Sequence, residues 1–290
     1  ASDATALTAQ GEGDLTITDT GADVASLTAA ALNGDLTADL SSVDGKDLAS
    51  INGGDGDTNI AASLVGLATE AQLTGGAGEN TLTIAGGNGT IRPAMSGFSE
   101  LNVAQTNGKL TLSGENVAGL ENVTLGADTD GNDVTLANLP NDQLTISANG
   151  EQLTTSSTTY TGAGTLIFET GASGATVEDE GTDKVARGVT ASNATTVQVD
   201  VGANSNYSGT VTAAASETAQ LDVASALDAD DNEMTMFTGK LRSPEATSVV
   251  VDAEGQLTGT ASIEAGNAES VDVTTGTSEA DTLKLDTSSA

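Results

Sequence analysis

The stretch Gly75-Gly76-Ala77-Gly78-Glu79-Asn80-Thr81-Leu82-Thr83 packs three glycines, an acid and an amide into six residues ahead of an alternating segment. Adjacent glycines reach backbone angles closed to other residues, so several carbonyls can turn toward one point. An amide or carboxylate at the sixth position adds a side-chain oxygen. Oxygen-rich turns of this kind suit calcium, which takes roughly six to eight oxygens at about 2.3–2.6 Å. The ligating candidates are Gly75, Gly76, Gly78 and Asn80. A second turn, Gly53-Gly54-Asp55-Gly56-Asp57-Thr58, offers Gly53, Asp55 and Asp57, with Thr58 where the acid would stand. Either turn also reads as a tight strand corner that holds no ion.

Two further acidic runs carry the same chemistry. Asp128-Thr129-Asp130-Gly131-Asn132-Asp133 comes close to the opening of an EF-hand loop, with Asp128, Asp130 and Asp133 as ligands. Its glycine stands at the fourth position instead of the sixth and the closing Glu is missing, so a solvated hairpin tip is the other reading. Asp228, Asp230, Asp231 and Glu233 read as a plain acidic loop.

The chain has no His and no Cys. Zinc, copper, haem and iron–sulfur sites thereby lose their usual ligands, which leaves calcium as the expected ion, or magnesium. Without His a Ser or Thr nucleophile lacks its usual base, and no phosphate-binding G-x-x-x-x-G-K-[ST] occurs. Two carboxylates alone can hydrolyse a glycoside, so a polysaccharide-modifying β-helix enzyme stays as a third reading. Sugar clefts commonly use aromatic platforms, and here three Phe and two Tyr are scattered through 290 residues. The expectation is a protein that is not an enzyme.

Charge narrows the partners. Eight basic residues against 42 acidic ones give a net charge of −34. Such a surface repels nucleic acid and attracts divalent cations. No apolar run is long enough to span a membrane. Four N-x-[ST] strings, at Asn88, Asn122, Asn193 and Asn206, permit glycosylation without arguing for it.

The elements that must position these turns show in the repeats. Gly-Asp-Leu-Thr occurs at Gly13 and Gly34 (34 − 13 = 21), and the strings GGDG and GGAG begin at Gly53 and Gly75 (75 − 53 = 22). GFSELNV and GLENVTL begin at Gly97 and Gly119, again 22 apart. Each unit holds short alternating triplets such as Leu82-Thr83-Ile84 and Leu144-Thr145-Ile146, whose period of two puts the apolar residues on one face. Strands this short are unstable as free hairpins but can stack coil upon coil. The spacing predicts an all-β chain built as a parallel β-solenoid, with Thr and Ser ladders outside. Tandem immunoglobulin-like sandwiches are the alternative, disfavoured by the scarcity of bulky core residues.

Residues 23–34 and 59–73, rich in Ala and Leu, read as two short helices, with Gly34 as a helix stop. The repeat blurs after about residue 150. The expected division is therefore a solenoid-like region over 1–153 and a second β-rich region over 154–290.

The nonapeptide Gly75 to Thr83 fits G-G-x-G-x-[DN]-x-U-x, where U is a large apolar residue. It resembles the calcium-binding repeat of repeats-in-toxin (hemolysin-type) proteins. Gly276-Thr277-Ser278-Glu279-Ala280-Asp281-Thr282-Leu283 resembles a degenerate entry into such repeats, adding Asp281 to the metal candidates. GFSELNV and GLENVTL are similar to segments between repeat blocks in bacterial S-layer proteins and large surface adhesins. The resemblance covers roughly residues 10 to 150 and the last fifteen. It departs from the family because the glycine turns are not in direct tandem. It implies an extracellular structural protein of a surface layer or filament, calcium-bound and assembled with copies of itself. A calcium-dependent adhesin that grips cell-surface polysaccharide or another cell is the alternative.

Overall fold

A computed structural model describes residues 5–18, 23–45, 47–105, 109–126, 134–139, 142–148, 157–170, 183–185, 188–203, 205–225, 235–276 and 282–288. All regular structure among them is β-strand. The chain is a parallel β-solenoid, divided into two compact units, one of residues 1–124 with 132–141 and one of 125–131 with 142–290.

In the first unit, sheet A stacks Ala6–Gly11, Ser26–Leu32, Leu48–Asn52, Leu67–Thr74, Ala94–Ser96 and Val117–Ala118. Sheet B stacks Leu15–Ile17, Leu36–Leu40, Thr58–Ser63, Asn80–Ala85, Glu100–Gln105 and Asn122–Leu125. Sheet C holds Gly89–Ile91, Leu110–Ser113 and Val134–Ala137. Pairing is parallel throughout, which excludes the sandwich alternative, whose sheets are antiparallel. Sheet B pairs Leu15 with Leu36, Leu36 with Thr58 and Thr58 with Asn80, strides of 21, 22 and 22 residues. The repeat read from the glycine strings is thus one turn of the coil.

Alternation decides which side is inside. In Leu36–Leu40 the leucines and Ala38 are buried while Thr37 and Asp39 are exposed. Leu82 and Ile84 follow the same rule between Thr81 and Thr83. Outward-facing Thr16, Thr37, Asn59 and Thr81 lie in one register column, so a mostly Thr ladder lines the outer face.

The two expected helices are strands. Residues 23–34 contain Ser26–Leu32, and residues 59–73 lie in Thr58–Ser63 and Leu67–Thr74, separated by a tight turn. Alanine is small enough for the narrow core, where Ala29, Ala62 and Ala71 are buried, and neighbouring strands satisfy backbone groups that a helix would bond internally. Gly34 stops no helix. A Cβ there would lie 2.5 Å from the Gly13 carbonyl carbon, so it is a corner packed on the corner before it.

In the second unit, sheet D stacks Gln143–Ala148, Thr165–Thr170, Thr196–Val201, Thr218–Val223, Ser248–Ala253 and Ser270–Thr275. Sheet E stacks Ser157–Tyr160, Gly188–Ala191, Thr210–Ala213, Lys240–Arg242, Ser262–Glu264 and Lys284–Asp286. Sheet F holds Asp183–Val185, Ser205–Tyr207, Met236–Phe237 and Gln256–Leu257. Sheet D strides run 22, 31, 22, 30 and 22 residues. The period therefore persists here, hidden from the sequence by eight or nine additional residues in alternate turns (30 − 22 = 8; 31 − 22 = 9). Both long turns lengthen the link from sheet D to sheet F, the stretches 171–182 and 224–235, where the shorter turns use 202–204 and 254–255.

The core is aliphatic with a few rings. Phe98, Phe168, Phe237, Tyr160 and Tyr207 are all fully buried, which accounts for every aromatic residue of the chain. Phe168, Tyr207 and Phe237 form a run with ring centroids 5.4 and 5.8 Å apart.

Candidate functional site: stacked glycine turns and a carboxylate column

The Gly-Asp pairs of the sequence form one corner of the first unit. Gly13-Asp14, Gly34-Asp35, Gly56-Asp57 and Gly78-Glu79 lie above one another, and each acid serves the next turn. Asp35 N donates to Asp14 Oδ1 (3.1 Å), Asp57 N to Asp35 Oδ1 (2.9 Å) and Glu79 N to Asp57 Oδ1 (2.8 Å). A corner N–H turned away from the sheet has no strand partner, and a short carboxylate one turn back supplies the acceptor, as in an Asx turn. Asp57→Ala should lower the unfolding free energy of the first unit by about 1 kcal/mol, because Glu79 N–H then falls back on water. Asp57→Asn keeps the acceptor and should stay close to wild type in the same urea titration.

Gly53, Gly75 and Gly97 form a second column, and Gly54 with Gly76 a third. A Cβ on Gly75 would lie 2.5 Å from Gly97 O, and Gly76 takes φ 98° with its missing Cβ directed at Gly54 O. These glycines are required by the backbone of the neighbouring turn. Asp55 is exposed, and its N donates to Leu32 O (2.9 Å). Thr58 is fully buried and its Oγ1 has no hydrogen-bond partner.

Asn80 is the centre of the arrangement. It is buried, its Oδ1 accepts from Thr58 N (2.8 Å), and its Nδ2 donates to Gly78 O and Gly97 O (2.7 Å each). Gly76 O lies 3.4 Å from the same nitrogen. A backbone N–H can only donate and a carbonyl can only accept, so the amide has one possible orientation. The carbonyls expected to gather around calcium face an N–H₂ group. The Gly75–Asn80 turn does not fit the ion at this position. In the neighbouring turn Asp57 is committed to Glu79 and Asp55 is exposed, so their oxygens do not converge with the buried Thr58 hydroxyl. Among the described residues no group of three or more acidic side chains is placed to hold a metal. Asp128, Asp130, Asp133 and Asp281 lie outside the described residues, as does the acidic run 228–233.

A second constellation lies in the second unit. The register of sheet D sets Glu169, Asp200, Asp222 and Asp252 in one outward column, with Ser147 at one end and Thr274 at the other. Neighbours in such a column sit one strand spacing apart, about 4.8 Å. Gln198 Nε2 donates to both Asp200 oxygens, at 2.9 and 3.0 Å, and Ser147 Oγ donates to Glu169 Oε2 (3.0 Å). Partial burial, and then the charges of Asp222 and Glu169, push Asp200 up to about 6 against the pull of Gln198. Burial, Asp252 and Glu254 raise Asp222 in the same way. Sequence reasoning missed this column, although the hexapeptides TVQVDV, TAQLDV and SVVVDA carry Asp at the same fifth position.

Sheet E bears three of the chain's eight cations. Lys240, Ser262 and Lys284 share one register column, and Arg242, Glu264 and Asp286 the next. Lys240 Nζ and Arg242 Nε pair with Glu264 at 2.7 and 3.1 Å and hold its carboxyl below the usual range. Lys240, Ser262 and Lys284 line a surface groove of about 330 Å³ together with Thr260 and Thr282. Against known protein families, curated proteins and solved structures, the chain shows no match.

Proposed function

We propose that this chain is an extracellular structural protein, a parallel-β segment of a bacterial surface layer or surface filament that associates with copies of itself. The observation that carries the reading is the open edge of sheet D. Ser270–Thr275 is exposed at every position, and Val271 and Val273 are 40% and 44% exposed while their register partners Val249 and Val251 are buried. An uncovered parallel edge of this kind is a template for a further strand. The acidic surface supports an exterior, salty setting, where calcium enters the reading as a counterion to the −34 charges. All five aromatic rings are buried, which leaves no aromatic platform for a sugar and supports a protein that is not an enzyme.

Light scattering and negative-stain images of the concentrated chain, with calcium and with chelator, test this. Regular sheets or filaments are expected, and Val273→Lys on the open edge should reduce association at least several-fold. A chain that stays monomeric at high concentration in both conditions rejects the proposal. The adhesin reading is favoured by the sheet E groove, where Lys240 and Lys284 would meet an acidic glycan. It is distinguished by binding of an acidic polysaccharide to a chain that remains monomeric.

A further inference from the structure

We infer that the stacked turns of the first unit cohere without a metal ion, because the amide nitrogen of Asn80 stands where a cation would, and that this one residue decides whether the stack is calcium-dependent. The inference does not rest on the assembly reading.

Asn80 joins three successive turns of the coil. Its oxygen takes the N–H of Thr58 in the turn before, and its nitrogen takes Gly78 O in its own turn and Gly97 O at the start of the next. Both of its protons and its oxygen are therefore used, at 2.7–2.8 Å, in a residue 2% exposed. Carbonyl oxygens crowded at one point repel one another unless something positive lies between them. Calcium is one solution and an N–H₂ group with two donor protons is another. The carbonyls of Gly76, Gly78 and Gly97 have the second.

The alternative residue at this position of the nonapeptide is aspartate, and it reverses the balance. A carboxylate in place of the Asn80 amide would keep one oxygen on Thr58 N–H but direct the other at Gly78 O and Gly97 O. Three negative oxygens would then face one another in a buried place, and only a cation or a proton relieves them. Asn80→Asp should therefore convert an ion-independent stack into one that calcium supports.

The test compares wild type and Asn80→Asp by thermal unfolding and by amide exchange of residues 56–62, in chelator and in millimolar calcium at neutral pH. In wild type, protection of the Thr58 amide should be the same in both conditions. In Asn80→Asp the unfolding midpoint should fall by about 3 °C or more in chelator, with faster exchange at Thr58, and calcium should restore both. Mild acid should restore them in chelator as well, by protonating the new carboxyl. Three results would overturn the inference. One is a wild-type Thr58 amide that calcium protects further. Another is an Asn80→Asp chain as stable in chelator as wild type. The last is a loss in Asn80→Asp that calcium leaves unchanged. The wild-type exchange measurement decides the matter even where the variant fails to fold.

Discussion

Gly76→Ala is expected to destabilise the first unit by about 4 kcal/mol, enough to unfold several turns under native conditions. Two costs combine. The residue sits at φ 98°, which an L side chain rarely adopts, and the new Cβ would be directed at Gly54 O in the turn before. Backbone meets backbone there, so no flexible side chain can move aside. Neighbouring glycines repeat the contact, with Gly53 on Gly75 and Gly75 on Gly97, so a shift at one turn propagates to the next. Gly13→Ala is the control. No atom lies within 4 Å of its added Cβ, and its cost should stay within about 0.5 kcal/mol. Urea titration of the two variants checks the contrast, and equal midpoints would refute the stacking account.

Acidification should stabilise the second unit before it harms it. Asp200 titrates near 6 in the folded chain and near 3.8 when unfolded. Between those values the folded state binds the extra proton, so stability falls as pH rises through about 6 and is regained as pH drops toward about 4. The full difference would be worth about 3 kcal/mol, but nearly half of the group faces water, so about 1 to 1.5 kcal/mol is expected. Asp222 adds to the effect with the same sign, since burial and then Asp252 and Glu254 raise it too. Glu169 and Asp222 face Asp200 from the adjacent strands, so the repulsion belongs to the column and not to one residue. Asp200→Asn should raise the unfolding midpoint at neutral pH and flatten its rise between about pH 7 and about pH 5. Gln198 can turn its amide to serve the new side chain. Unfolding midpoints across that range measure it, and an unchanged slope in Asp200→Asn would refute the assignment.

Much of the fold was legible because a solenoid writes its period into the chain. Gly-Asp at 13, 34 and 56 and Gly-Glu at 78 mark one corner, and triplets such as Leu82-Thr83-Ile84 state which side chains point in. Where turns carry longer links, as between Thr165 and Thr196, that regularity is diluted and the second half reads as aperiodic. The helices misread over 23–34 and 59–73 have a related cause. Alanine suits either structure, and only the partner strand above and below selects extension.

The candidate site shows the same division. Residue types alone determined a hard-ion chemistry, an all-β chain and the positions of its bends, because glycine, acid and alternation act over a few residues. Only the folded stack decided what those bends hold. Whether Asn80 gathers carbonyls around calcium or donates to them depends on Thr58 and Gly97, 22 and 17 residues away in the chain. Whether Asp200 is an ordinary acid depends on Glu169 and Asp222, its register neighbours, which are 31 and 22 residues away. Hydrogen bonds and charge repulsion fall off within a few ångströms, so their strength follows from spatial neighbours that the order of residues does not state.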